Sequence, residues 1–157
     1  MRLTELLTQE RVAVHREDGA HPLDKKEVIH LLAKMLASGA RVDASVVERV
    51  LVEREQLQST GIGEGVAIPH GALPQLENQF ASLLIVPRGV DFVAIDGLKV
   101  NILFAVIGPK RATGEHLKTL ARVSRLLRSR GFRDRLIAAA DSKEAYALLE
   151  TEEGAIR

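Results

Sequence analysis

The 157-residue sequence predicts one layered α/β domain: a central β-sheet with helices packed on both faces. Three observations predict it. Residues 24–56 carry apolar side chains at helical spacing, 80–86 and 99–107 are nearly continuous apolar runs of strand length, and 114–150 return to helical patterning. Apolar runs without alternation suit strands covered on both sides, which calls for helices above and below the sheet. No linker, repeat or low-complexity tract divides the chain, so residues 1–157 read as a single domain large enough to fold alone. Aromatics make up only 3% of the residues, so Leu, Ile, Val and Ala must fill that core.

The first helix is expected over residues 24–38. Asp24 can cap its start, and Glu27 is placed to complete a capping box. Val28, Leu31, Leu32, Met35 and Leu36 form its apolar stripe, and Gly39 is expected to end it. A second helix over 43–56 turns Val46, Val47, Val50 and Leu51 inward. Residues 59–65, with glycines at 61, 63 and 65, read as a loop. A short apolar segment, Val66-Ala67-Ile68, then leads into Pro69-His70-Gly71. Strands over 80–86 and 99–107 follow, joined by a turn-rich connection over 87–97 that holds Gly89, Asp91, Asp96 and Gly97. Helices over 114–128, 131–139 and 142–150 close the chain, the first of them carrying His116.

Composition excludes several kinds of function. The chain has no cysteine, which removes disulfides, thiolate metal sites and cysteine nucleophiles. His70 and His116 alone do not supply a metal-ligand set, so no metal is expected. The start of the chain has no apolar run resembling a signal peptide, and the longest apolar stretches fall far short of the roughly 18 to 20 residues that span a bilayer. A soluble, cytoplasmic protein without membrane insertion is expected. Net charge is +1, yet residues 110–135 hold nine basic side chains against Glu115 and Asp134. That segment is either a solvated helix surface or a docking face for an acidic partner. No recognition motif or aromatic platform points to nucleic acid.

The glycine-rich loop invites a phosphate-loop reading that its details reject. No Lys-Ser/Thr pair follows Gly65, and the loop follows a helix and opens a strand, the reverse of a dinucleotide fingerprint. The histidine after it is more informative. Pro69 fixes its own φ and disfavours helix at Ile68, while Gly71 frees the chain beyond, so His70 is held on a stiff stalk at a strand end. Neutral imidazole is nucleophilic, its ordinary pKa is about 6.5, and its phosphorylated nitrogen is a good leaving group. Such a residue can receive a phosphoryl group and pass it on. The spread charge of that group calls for cationic and hydrogen-bonding neighbours. Arg54, at the end of the second helix, is one candidate, and an exposed surface arginine is the alternative. His116 is the other. It shares a helix face with Leu120, Val123 and Leu127, as a structural histidine at the core edge would too.

Taken together, Arg54-Glu55, the run from Ser59 to Gly71, Asp96-Gly97, the apolar strand after it and His116-Leu117 form a longer pattern. It resembles the active-site signature of the fructose/mannitol-type (type 2) enzyme IIA family of the bacterial phosphotransferase system, and within it the nitrogen-regulatory branch. The resemblance implies a central mixed β-sheet flanked by helices on both faces. It implies a phosphohistidine at His70 on Nε2, with Arg54 and His116 beside it and Ser59, Thr60 and Gly71 positioning the phosphoryl group. The donor would be an HPr-type carrier charged from phosphoenolpyruvate, and no cofactor would be needed. Phosphoryl output would go to regulation of target proteins or, in a transport role, to an enzyme IIB. Two departures stand out: Ala72 where the branch commonly has a basic residue, and Leu98-Lys99 where a proline is usual.

Overall fold

The computed structural model describes residues 2–16 and 22–156. The termini of the expected 1–157 domain, Met1 and Arg157, lie outside the described residues, as do residues 17–21. The elements run α1 (Leu3–Leu7), a 3-10 turn (Gln9–Arg11), β1 (Val12–Val14), α2 (Lys25–Ala40), α3 (Ala44–Leu57), β2 (Gly61–Gly63), β3 (Val66–Ala67), β4 (His70–Leu73), β5 (Phe80–Val90), β6 (Val100–Pro109), α4 (Thr113–Leu126), α5 (Arg130–Ile137) and α6 (Ser142–Ala155).

The sheet is mixed, in the order β1-β5-β6-β3-β2, with β4 also paired to β6. The long strands β5 and β6 are antiparallel, β1 runs parallel to β5, and β3 and β4 run parallel to β6. Side chains alternate between two cores. Leu83, Ile85, Ile102, Phe104 and Val106 pack beneath α1, α4, α5 and α6, while Leu84, Val86, Leu103, Ala105 and Ile107 pack beneath α2 and α3. Burial on both faces explains the unbroken apolar runs, each fully buried Leu, Ile or Phe contributing about 1.5–3 kcal/mol. The expected layering therefore holds.

The predicted helices and long strands are present, with instructive differences. The capping box forms: Asp24 Oδ1 accepts from Glu27 N–H at 2.8 Å, and Asp24 N–H donates to Glu27 Oε1 at 3.2 Å. Gly39, however, does not end α2. The helix runs on to Ala40, and Arg41 takes the left-handed cap position with φ 58°. Gly39 serves packing instead, because a Cβ there would overlap the guanidinium of Arg11. That buried arginine donates to Leu6 O and Ala81 O and so fastens the N-terminal segment to β5. Residues 59–65 are not all loop either. Gly61–Gly63 pairs with Val66–Ala67 in a tight hairpin whose turn residues, Glu64 and Gly65, both have positive φ. β5 also continues through Pro87 to Val90, past the expected end at 86, with a register irregularity between Ile85 and Val90.

Candidate active site

β3 and β4 lie end to end along β6, and the break between them builds the site. Val66 and Ala67 pair with Ile102 and Leu103; the ladder resumes with His70 against Val106. Between them Pro69 has no N–H to give, although its carbonyl accepts from Val106 N–H at 2.9 Å. Ile68 N–H turns the other way, donating to Thr60 O of the hairpin at 3.0 Å. The Ile68 carbonyl takes up the side chain of His70, two residues on: His70 Nδ1 sits 2.7 Å from it.

That contact fixes the chemistry of the ring. A carbonyl only accepts, so Nδ1 carries the proton and Nε2 is left with its lone pair. Burial pushes the His70 pKa below that of a free imidazole. The nearby Arg54 charge acts in the same direction, while the Ile68 bond and Glu55 oppose it. His116 is also lowered, first by burial and then by His70. The two rings lie 5.7 Å apart between centroids, tilted by 52°. Both are therefore held neutral near pH 7, with His70 nucleophilic at Nε2.

A pH titration follows from these directions. Titration of the imidazole C–H resonances by NMR should place both midpoints below 6.5, the ordinary value. Because the unfolded rings take up protons first, their contribution to stability is complete above pH 6.5 and declines as the pH falls. Midpoints at or above 6.5 would overturn this.

His70 opens into a cleft of about 260 Å³ whose wall includes Arg54, Ser59, Thr60, Leu120 and Ser124. Arg54 stands in the last turn of α3, and its Nη1–H donates to Gln58 O at 2.8 Å. His116 reaches the ring of His70 from the first turn of α4. The structure thus gathers His70, Arg54, His116, Ser59 and Thr60 in one place.

The three residues expected to position the phosphoryl group, Ser59, Thr60 and Gly71, each have a structural partner. Ser59 Oγ–H donates to Phe92 O at 3.2 Å and the same oxygen accepts from Gly61 N–H at 3.1 Å, so it shapes the hairpin. Thr60 Oγ1–H donates a hydrogen bond to Glu55 Oε1. Gly71 neither needs nor uses conformational freedom: it sits in β4 without a positive φ. A Cβ on it would overlap Val50 Cγ1, so its role is to let β4 lie close against α3.

Sequence reasoning missed two parts of the site. One is Ser124, which extends the His116–Leu120 stripe of α4 by one more turn and could have been read from that spacing. The other is the buried cluster beneath the hairpin. Glu55 is 5% exposed and accepts from Thr60 N–H at 3.0 and 3.2 Å and from Lys25 Nζ at 2.7 Å. Lys25 also donates to Phe92 O at 3.1 Å and lies 4.5 Å from that ring's centroid. No local motif announces such a pairing of helix start with helix end. The departures at Ala72 and Leu98 are accommodated quietly: Ala72 pairs with Gly108, and Leu98 N–H donates to Asp96 Oδ1 at 3.1 Å.

Of the nine basic residues in 110–135, eight are exposed. Arg133 is not part of that surface; it is buried, donates to Leu127 O and Arg128 O, and reaches Glu64 at 3.4 Å. Among the described residues no group of three or more His, Cys, Asp or Glu side chains is placed to hold a metal ion, and no helix is long and apolar enough to cross a membrane.

The mixed sheet and its histidine cleft place the molecule in a defined class. The chain belongs to the type 2 EIIA family of the phosphoenolpyruvate-dependent sugar phosphotransferase system, whose family model matches residues 6–152. Members of this class are phosphotransfer proteins. Among relatives, the chain is 39% identical over 125 residues to a nitrogen regulatory protein of Bradyrhizobium diazoefficiens, covering 80% of this chain and 82% of that one. It is 35% identical over 150 residues to the nitrogen regulatory protein of Pseudomonas aeruginosa, covering 95% of each. The crystal structure of the nitrogen regulatory protein IIA-Ntr of Neisseria meningitidis superposes with a TM-score of 0.84 at 28% identity, over 94% of this chain and 98% of that one. Transport proteins are relatives as well: the fructose-specific EIIABC component of Bacillus subtilis is 31% identical over 146 residues, which is 92% of this chain but 22% of that protein.

Proposed function

We propose that the chain is a phosphohistidine carrier. It accepts a phosphoryl group from an HPr-type phosphocarrier on His70 and acts mainly as a regulatory protein of the nitrogen type. One observation carries the chemistry: the His70 Nδ1–H bond to Ile68 O, which leaves Nε2 free at the cleft. The donor's P–N bond breaks as a P–Nε2 bond forms, and no proton has to be removed from the attacking nitrogen. The donor ring recovers its lone pair. The transferring group spreads negative charge over its equatorial oxygens. Arg54 can grip two of them, and His116, which takes up a proton as that charge arrives, can donate to a third. No cofactor enters this step.

Protein partners suit the surface around the cleft. The exposed large apolar side chains among the described residues are Leu57, Ile62, Val93, Ile95, Leu98 and Leu117. Leu57 closes α3 beside Gln58, Ile62 lines the cleft, and Leu117 adjoins His116. The other three lie in the loop against which the hairpin packs, through Gly61 on Ala94 and Glu64 N–H on Asp96. An apolar rim around a reactive group is what a protein donor or acceptor needs for docking.

The test is phosphorylation of the purified chain by phosphoenolpyruvate, enzyme I and an HPr-type carrier. The expected product is stable in base and labile in acid, as a phosphorylated imidazole is. No label, or an acid-stable one, overturns the assignment. A transport role is the second reading, supported by the fructose- and mannitol-specific relatives. A solved complex of the Escherichia coli mannitol enzyme IIA with phosphorylated enzyme IIB has this fold, with a TM-score of 0.71. Rapid transfer from the labelled chain to a sugar-specific enzyme IIB would favour that reading. Retention of label and state-dependent binding of target proteins would favour regulation.

A further inference from the structure

Two buried polar atoms close to His70 have no partner: Nδ1 of His116 and Oε1 of Gln79. Such atoms are rare in folded proteins, because each is stripped of water with nothing in exchange. They also share a location. Gln79 immediately precedes β5, which begins with Phe80 opposite Ile107, so Gln79 stands beside Gly108 of β6. The point that a Cβ on Gly108 would occupy is 3.1 Å from Gln79 Cγ and 3.4 Å from His116 Nδ1. Both side chains therefore border the space beside Gly108 that a Cβ would otherwise take. One brings an oxygen that can only accept; the other brings a nitrogen that can carry a proton.

We propose that Gln79 is a positioning residue that acts through His116. Rotation of its side chain brings Oε1 onto Nδ1–H of His116, which fixes the ring and turns Nε2 towards the group on His70. The need is greatest after transfer. A phosphoryl group on His70 draws a proton from solvent onto His116, and an imidazolium has two N–H donors to satisfy. Nε2–H takes a phosphoryl oxygen, and the inward Nδ1–H takes Gln79. Without that acceptor the inward proton is buried unpaired, and His116 is a weaker cation. Charged groups of the adjoining cleft, Glu77, Glu115, Lys118 and Arg122, are all exposed and are retained in the variants below. The inference rests on the phosphohistidine reading for its purpose but not for its contact.

Histidine-selective ¹⁵N NMR reads the contact on the unphosphorylated protein. In the wild type, the neutral His116 ring should carry its proton on Nδ1. Gln79→Leu should remove that preference and lower the His116 midpoint, and Gln79→Glu should raise it, each by about half a unit or more. Phosphorylation of His70 should slow about threefold to tenfold in Gln79→Leu, an effect that disappears when His116 is already alanine. An unchanged His116 tautomer and midpoint in both variants overturn the proposal. Should Gln79→Leu fold poorly, Gln79→Glu decides alone, since a merely structural glutamine predicts no upward shift. If the wild type accepts no phosphoryl group, the carrier reading fails while the tautomer result still decides the contact.

Discussion

His70→Ala should take up no phosphoryl group under conditions that label the wild type fully, because no other side chain in the cleft presents an unprotonated nitrogen held by its own backbone. The loss should be complete rather than partial. His116 is close, its ring 5.7 Å from that of His70, but it does not line the cleft and no carbonyl holds its ring in place, so it is not a second acceptor. The fold should survive. His70 is only partly buried, and its one hydrogen bond is to Ile68 O, a loss of about 1 kcal/mol. For a domain of this size that lowers Tm by a few degrees, about 2–4 °C. Arg54→Ala and His116→Ala should keep the label but acquire it slowly. Each loses a hydrogen bond to a charged group, about 1.5–3 kcal/mol, or about tenfold to a hundredfold in rate. Radiolabel incorporation and thermal melts on the three variants check this together. Label on His70→Ala would remove the assignment, and wild-type rates in the other two would make Arg54 a surface arginine and His116 a structural histidine.

Much of this arrangement was legible in the residues. Helix α2 declares itself through Asp24, Glu27 and a regular stripe, and the long strands through apolar runs that only a doubly covered sheet explains. His70 was legible for a local reason, since a proline and a glycine around one histidine leave a physical mark on the chain. What stayed hidden depends on contacts between distant segments. Gly39 carries the signature of a helix end, yet Arg11 occupies the space above it and the helix continues. Helix α1 and strand β1 have five and three residues, too short for periodicity to register. Arg133 belongs to a basic run by sequence and to the interior by structure. Ser59 and Thr60 sit in the signature, but only the folded hairpin shows that their hydroxyls face inward.

The hairpin makes the histidine usable, and its foundation is Glu55. This carboxylate receives the backbone N–H and hydroxyl of Thr60 and the ammonium of Lys25, joining the end of α3, the start of α2 and the turn into β2. Thr60 in turn receives Ile68 N–H, and the Ile68 carbonyl orients His70. A chain of three contacts thus links a buried charge to the reactive nitrogen. Glu55→Ala should destabilise the protein by about 3 kcal/mol, the lower end for a broken buried pair, because Lys25 is 28% exposed and can still reach water. Glu55→Gln should cost less, since its amide oxygen still accepts from Thr60 while the ion pair is lost. Urea titration of both variants measures this as a lowered midpoint with unchanged slope. Below the unfolding midpoint the effect should reach the site. With Thr60 loosened, the His70 tautomer should no longer be held, and phosphorylation of the folded Glu55→Ala protein should slow although every residue touching the phosphoryl group is intact. A variant as stable as wild type would show that the cluster is dispensable. One that is destabilised but phosphorylated at the normal rate would show that the hairpin supports the fold and not the histidine.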